Sequence, residues 1–399
     1  MSEGEPHPSQ GLPNQTPGEA HLSRRAREAQ PSGIRRFFEL AAEMDDLISL
    51  GVGEPDFSAP WPARSAAIDA LERGKTSYTA NRGRSDLRTA IADHISQYGQ
   101  EYDPDSEILV TAGASEAVDL AMRTLVDPGD KIAIPEPSYI SYKPTASFAG
   151  GEVISVPTSA ENEFKLTYDA LNQADAADAS VLVLCYPNNP TGAVMNRDEL
   201  RPIAQFAEEH DLFVLSDEIY AALRYEGPHA SIATIPGMRE RSVVFNGFSK
   251  AYAMTGMRLG YAIGPESVIE SMNRIHQYTM LSAPTTAQAA AFEAIHNCDP
   301  ALAEMRDAFN RRRKFVISRF NELNMECFEA EGAFYVFPQC PPEWSDDEAF
   351  AEALIKDERV AVVPGSAFGE SGAGHLRISY ASGMSELKTA LNRIESFLK

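Results

Sequence analysis

Cysteine is scarce. The four in 399 residues, Cys185, Cys298, Cys327 and Cys340, show no CxxC spacing, which argues against a zinc site, against any other metal centre and against a disulfide framework. A reducing, cytoplasmic setting is the expectation. Lysine is scarce too: nine of the 35 basic residues are lysines and 26 are arginines, set against 58 acidic residues. The resulting net charge of −23 repels phosphate backbones, so nucleic acid is not an expected partner. Acidic excess with few lysines resembles the proteins of salt-accumulating archaea, which predicts a halophilic protein; an ordinary acidic protein is the alternative. No stretch approaches the ~18 uninterrupted apolar residues of a membrane span. The first thirty residues lack the apolar core of a secretory signal. Nucleotide signatures are missing as well: Gly51-Val52-Gly53-Glu54-Pro55-Asp56 has no third glycine, and no GK[ST] follows a glycine-rich loop.

What remains is an ordinary globular composition, 43% hydrophobic and 23% charged. The length suggests two or three domains at ~150 residues each. Residues 1–30 are rich in Pro, Gly, Ser and Glu and read as a disordered tail. A helical pattern begins near Pro31, carried by Ile34, Phe37, Phe38, Leu40 and Ala41. Candidate strands then follow at Ile108–Thr111, Lys131–Ile134, Glu152–Val156, Ser180–Cys185, Leu212–Ser216, Ser242–Asn246 and Leu259–Ile263. Amphipathic helices lie between them at Ser115–Leu125, Tyr142–Phe148, Asp198–His210 and Glu266–Tyr278. This alternation predicts an α/β fold with a mostly parallel central sheet covered by helices on both faces. After a charged helix over Ala301–Asn324 the rhythm changes to short strands at Glu326–Glu329, Ala333–Phe337, Val360–Val363 and Leu376–Ser379, with helices at Asp346–Lys356 and Ser385–Leu398. That predicts a smaller α+β domain at 301–399, joined by an N-terminal segment at 31–57, beside a large domain at 58–300.

Several strand ends carry residues suited to chemistry. In Gly247-Phe248-Ser249-Lys250-Ala251-Tyr252, one of few lysines is set among small and apolar residues directly after an apolar strand. Burial lowers an amine's pKa and makes it a Schiff-base nucleophile, although a lysine at such a turn can also snorkel to the surface. Asp217 ends another apolar strand, where open α/β sheets place ligand-binding groups and where helix N-caps also occur. Tyr220 follows three residues later, facing either the same crevice or the core. Tyr186-Pro187-Asn188-Asn189-Pro190 forces a rigid loop in which Asn189 presents an amide or merely turns the chain. Thr111-Ala112-Gly113-Ala114-Ser115 joins a strand to a helix N-terminus, a setting suited to a phosphate. Arg377 lies inside an apolar strand, where it needs an anion such as a substrate carboxylate, or an internal ion pair.

Together, in the order Asn189, Asp217, Tyr220, Lys250, Arg258, Arg377, these residues resemble the fold-type I, class I pyridoxal-phosphate aminotransferases over residues 32–399. The likeness is to the gamma subgroup that contains archaeal aromatic and aspartate aminotransferases. The resemblance implies that Lys250 forms the cofactor Schiff base and shuttles a proton, and that Asp217 sits under the pyridine nitrogen. It implies that Asn189 and Tyr220 donate to the cofactor's O3′, with Tyr139 stacked on the ring. Arg258, Ser249 and the turn Gly113, Ala114, Ser115 would cradle the phosphate. Arg377, with Gly53 and Asn189 beside it, would hold the substrate carboxylate. Tyr78 would reach the cofactor of a second subunit, making a homodimer.

The chain departs from the family pattern in places. Gly247 stands where many members carry Ser three residues before the lysine, and Ala114 and Ser115 stand where Gly or Lys is frequent. The apolar Ile34 and Phe37 near the entrance favour a hydrophobic or aromatic substrate side chain over aspartate. The expected activity is amino transfer from an L-amino acid, aromatic or aspartate, to a 2-oxo acid such as 2-oxoglutarate by a ping-pong route. A carbon–sulfur β-lyase on the same cofactor is the alternative. A DNA-bound ligand sensor is disfavoured, because residues 1–30 are too short and polar for a helix-turn-helix.

Overall fold

The computed structural model describes residues 17–29, 33–34, 46–344 and 346–399. Its strands, in chain order, are β1 (Ile48–Ser49), β2 (Ile108–Thr111), β3 (Lys131–Glu136), β4 (Glu152–Pro157), β5 (Val181–Cys185), β6 (Phe213–Asp217), β7 (Ser242–Gly247), β8 (Gly260–Ile263), β9 (Tyr335–Val336), β10 (Val360–Ala361), β11 (Val363–Pro364) and β12 (Leu376–Ser379). Seven of them form one sheet in the order β2-β8-β7-β6-β5-β3-β4. Only β8 runs antiparallel to its neighbours within it. The continuous apolar runs explain this arrangement. Val181–Cys185 is buried along its whole length, as a parallel strand covered on both faces must be.

Helices supply that cover. Ala114–Leu125 turns Ala117, Val118, Leu120, Ala121 and Met122 onto one face, and Arg197–Glu209 packs Leu200, Ile203, Phe206 and Ala207 on the other. The second helix starts sharply. The Asn196 side chain accepts from the N–H groups of Asp198 and Glu199 at 2.9 and 3.1 Å, while Glu199 Oε2 accepts from Asn196 N at 2.7 Å. The helices Trp61–Glu72, Ser85–Ile95 and Thr285–Asn297 were not anticipated from sequence, because their alanine-rich faces have weak periodicity.

The C-terminal residues build around another core, with Phe309, Phe320, Phe334, Phe350, Leu354 and Ile378 fully buried. There β11, β12 and β9 make an antiparallel sheet, and β1 pairs in parallel with β10. The strand expected at Glu326–Glu329 does not form. The Asn321 side chain accepts from Cys327 N and donates to Cys327 O, both at 3.0 Å, so an amide takes the place of a ladder. Part of the expected disordered tail is helical at Arg24–Glu28. Ser23 caps this helix, and Arg25 docks it by donating to Phe148 O at 2.9 Å. No helix among the described residues is long and apolar enough to cross a membrane.

Candidate active site

The seven-stranded sheet gathers the predicted residues because its parallel strands share one carboxyl edge, the ligand-binding edge of open α/β sheets. Tyr139 follows β3, Asn189 follows β5, Asp217 ends β6 and Lys250 follows β7, while the helix starting at Ala114 follows β2. Since β8 runs the opposite way, Arg258 just before it arrives at the same edge. Gly53 follows β1 and Arg377 lies in β12, so the second core closes over this edge. All the sequence-predicted site residues except Gly113 and Tyr78 line one cavity of about 1060 Å³.

Lys250 Nζ donates to Gly53 O at 2.6 Å and stands 5.6 Å from the centre of the Phe334 ring. Burial pulls its amine down to about 8, with Arg377 and Arg258 acting in the same sense and Glu54 against them. Asp217 is buried, and desolvation pushes its carboxyl up to about 6. Two donors oppose that rise: Tyr142 Oη gives a hydrogen bond to Oδ2 at 2.7 Å, and Ile219 N gives one to Oδ1 at 3.1 Å. A cation placed beside Asp217 would hold it ionised.

Arg377 is also buried. Its Nη1 donates to Asn189 Oδ1 at 3.0 Å and its Nη2 to Gly51 O at 2.6 Å, whereas its Nε has no partner among the described residues. No carboxylate among the described residues pairs with it. A buried guanidinium held only by neutral acceptors is a receptor for an anion.

A second setting suited to an anion lies at the N-terminus of the helix Ala114–Leu125. Gly113 precedes the helix at φ +88°, without a side-chain cap, and leaves Ala114 and Ser115 at the cavity wall. Gly113 itself lies behind that wall. A Cβ there would stand 2.7 Å from an Arg258 Nη atom, so only glycine allows the guanidinium to lie against this turn. Arg258 Nη1 is steadied by Thr255 O at 2.9 Å. Ser249 is buried at the same wall.

Gly247 has an equally local reason. It pairs with Gly260 across β7 and β8, and a Cβ on it would fall 2.8 Å from Gly260 Cα and 2.9 Å from Leu259 O. Gly247→Ser is expected to cost about 1–3 kcal/mol through overpacking against backbone. Urea denaturation should show a lower midpoint at unchanged slope, and an unchanged midpoint would refute the steric account.

Tyr78 lies outside the cavity and is 78% exposed. Ile34 lines the cavity with Ile140, whereas Phe37 lies outside the described residues. Sequence reasoning missed Tyr142, Tyr335 and Glu54, which also line the cavity. Tyr142 sits three residues after Tyr139, and that spacing was the available signal. Tyr335 lies in an apolar run that reads as core.

Known proteins resemble this chain along most of its length. The sequence profile described as aminotransferase class I and II matches residues 45–394. Aromatic-amino-acid aminotransferase 2 of Thermococcus litoralis is 41% identical over 382 residues, covering 95% of this chain and 98% of the relative. The crystal structure of an aromatic aminotransferase from Pyrococcus horikoshii OT3 superposes with a TM-score of 0.87 at 41% identity, covering 91% of this chain and 98% of that one. The aspartate aminotransferase from Thermus thermophilus with maleate gives 0.89 at 36% identity, covering 94% and 99%. These relatives are named as aminotransferases, and nothing in them favours the lyase alternative. The chain belongs to the class I and II aminotransferases, a family of pyridoxal-phosphate-dependent transferases.

Proposed function

We propose that this protein transfers the amino group of an L-amino acid with an apolar or aromatic side chain to a 2-oxo acid such as 2-oxoglutarate, in two alternating half-reactions. One observation carries the reading. A single cavity holds both a buried amine of lowered pKa, Lys250, and a buried guanidinium with no carboxylate partner, Arg377. The wall formed by Ile34 and Ile140 supports an apolar donor over aspartate.

The donor set fits pyridoxal phosphate. The glycine-backed turn at Gly113, Ala114 and Ser115, with Arg258 and Ser249, matches a phosphate, and buried Asp217 matches a basic ring nitrogen. Asn189 and Tyr220 match a phenolic oxygen, Tyr139 an aromatic ring, and the Lys250 amine an aldehyde. When bound, the cofactor supplies an electron-withdrawing ring that stabilises negative charge at the substrate's Cα. Tyr142 and the Ile219 amide keep the Asp217 carboxylate oriented. Arg377 and the Gly53 backbone bind the α-carboxylate and so fix which Cα bond faces Lys250. With an amine near 8, Lys250 Nζ can both take up and return a proton close to neutral pH, a contribution of roughly 10²–10⁴-fold.

This reading includes a homodimer. Its support is the exposure of Tyr78 and Leu281, in segments tied by Asn81 Nδ2 to Leu281 O at 2.6 Å and Thr285 Oγ1 to Ser77 O at 2.8 Å. It also keeps the division into domains at 300/301, a cytoplasmic location supported by four free, buried cysteines, and a halophilic character supported by the charge of −23.

The test is an absorbance titration of the purified protein in concentrated KCl with Tyr, Phe, Asp and Glu in turn. Tyr or Phe should convert the bound-cofactor band to that of the aminated cofactor, and 2-oxoglutarate should restore it. Conversion by Asp and Glu alone would overturn the apolar-donor reading. Pyruvate released from a sulfur amino acid without any acceptor would overturn amino transfer itself.

A further inference from the structure

Tyr335 stands where three parts of the cavity meet. β9 pairs with β12 so that Val336 faces Ile378 and Tyr335 faces Ser379. By alternation, the side chains of Tyr335 and Arg377 then project from the same face of that sheet. The ring packs against the Arg377 guanidinium, whose Cζ is 4.7 Å from the ring centre. Its hydroxyl is 3.0 Å from that of Tyr220, and both tyrosines are buried. The same hydroxyl fills the space over Gly53, where an added Cβ would meet it at 2.9 Å. The charged and titratable groups facing Tyr335 are Arg377, Tyr220, Tyr139 and Cys185.

Two hydroxyls in contact use one proton between them, and the other proton must be given elsewhere. If Tyr220 donates to Tyr335, its proton is spent on its neighbour. If Tyr335 donates, the Tyr220 proton is free for an acceptor in the cavity, which is what a donor to the cofactor's phenolic oxygen requires. Only the second orientation is compatible with the proposed function.

We propose that Tyr335 is a positioning residue with two tasks: its hydroxyl donates to Tyr220, so that Tyr220 presents its own proton to the cofactor, and its ring holds the Arg377 guanidinium ready for the substrate carboxylate. This deepens the aminotransferase reading and rests on it. The two tasks separate chemically, because phenylalanine keeps the ring and leucine keeps neither.

The experiment uses the full chain loaded with pyridoxal phosphate. The pH midpoint of the bound-cofactor absorbance band is measured in parent, Tyr335→Phe and Tyr335→Leu, together with the Kd of 3-phenylpropionate, a carboxylate without an amine. A weakened Tyr220 donor leaves more negative charge on the phenolic oxygen, so Tyr335→Phe should raise the midpoint by about half a unit to one unit. Its Kd should stay within about twofold, whereas Tyr335→Leu should weaken 3-phenylpropionate by roughly three- to thirtyfold. A purely structural role would move melting temperature without this split. A titrating parent with an unshifted Tyr335→Phe overturns the hydroxyl link, and unchanged affinity in Tyr335→Leu overturns the ring's task. A parent that forms no band with pyridoxal phosphate overturns the function reading and the link with it.

Discussion

Lys250→Ala is expected to take up pyridoxal phosphate and yet lose turnover by roughly 10²–10⁴-fold or more. Uptake persists because the remaining contacts do not need the amine: Asp217, Asn189, Tyr220 and the Arg258 turn lie elsewhere around the cavity. Turnover fails because, among the described residues, no other lysine lines the cavity, and the two arginines that do, Arg258 and Arg377, stay charged and cannot shuttle a proton near neutral pH. Cofactor retained after desalting, read by absorbance, tests the first half of the claim. A single-turnover half-reaction with the best donor tests the second. Turnover near the parent rate would remove Lys250 from the chemistry and with it the proposed mechanism. The same amine gives the parent a pH signature. As its pKa is lowered to about 8, the neutral, proton-accepting form should gain over pH 7–9, well below the range of an exposed lysine.

Asp217→Asn is expected to lower kcat/KM by roughly 10²–10³-fold, the scale for deleting one preorganised electrostatic partner. Its effect on stability should have the opposite sign. Burial raises the folded carboxyl to about 6, above its unfolded value. The contribution of that carboxyl is therefore complete below the unfolded pKa and is lost as pH rises through about 6. At pH 7–8 the cofactor-free protein carries a buried carboxylate that two hydrogen bonds only partly satisfy. The melting temperature of cofactor-free Asp217→Asn, relative to the parent, should accordingly rise between pH 5 and pH 8. In the loaded proteins that difference should shrink or reverse, since a cationic ring nitrogen stabilises the carboxylate of the parent alone. A difference that stays flat with pH in the cofactor-free pair would show that Asp217 is not a strained charge.

Legibility in the sequence followed the range of the interaction. The parallel strands were readable because a strand buried on both faces must be apolar throughout, as in Val181–Cys185. Lys250 and Asp217 each had an ordinary reading, a snorkelling lysine and a helix N-cap. Their candidate roles became legible only through the ordered set Asn189, Asp217, Tyr220, Lys250, Arg258 and Arg377. Tyr142 and Tyr335 were not legible, since a tyrosine in an apolar setting is usually core and its partner is remote. The Tyr142–Asp217 bond spans 75 positions and the Tyr335–Tyr220 contact spans 115. The failed strand at Glu326–Glu329 has the same origin, because nothing local announces that the Asn321 amide will satisfy Cys327. Gly247 read as a departure until its contact with Gly260 was visible.

The Arg377 contacts carry a consequence for how the chain reaches its working form. Arg377 bonds to Asn189 across 188 positions and to Gly51 across 326, and Lys250 bonds to Gly53 across 197. Contacts of such sequence separation close late, because the entropy of large loops is lost before the contact rewards it. No nascent chain that ends before β12 contains Arg377, the proposed carboxylate grip. On the proposed roles, substrate recognition would be among the last events of folding, and an unfinished chain that captured the cofactor's aldehyde would still lack Arg377 to hold an amino acid beside it.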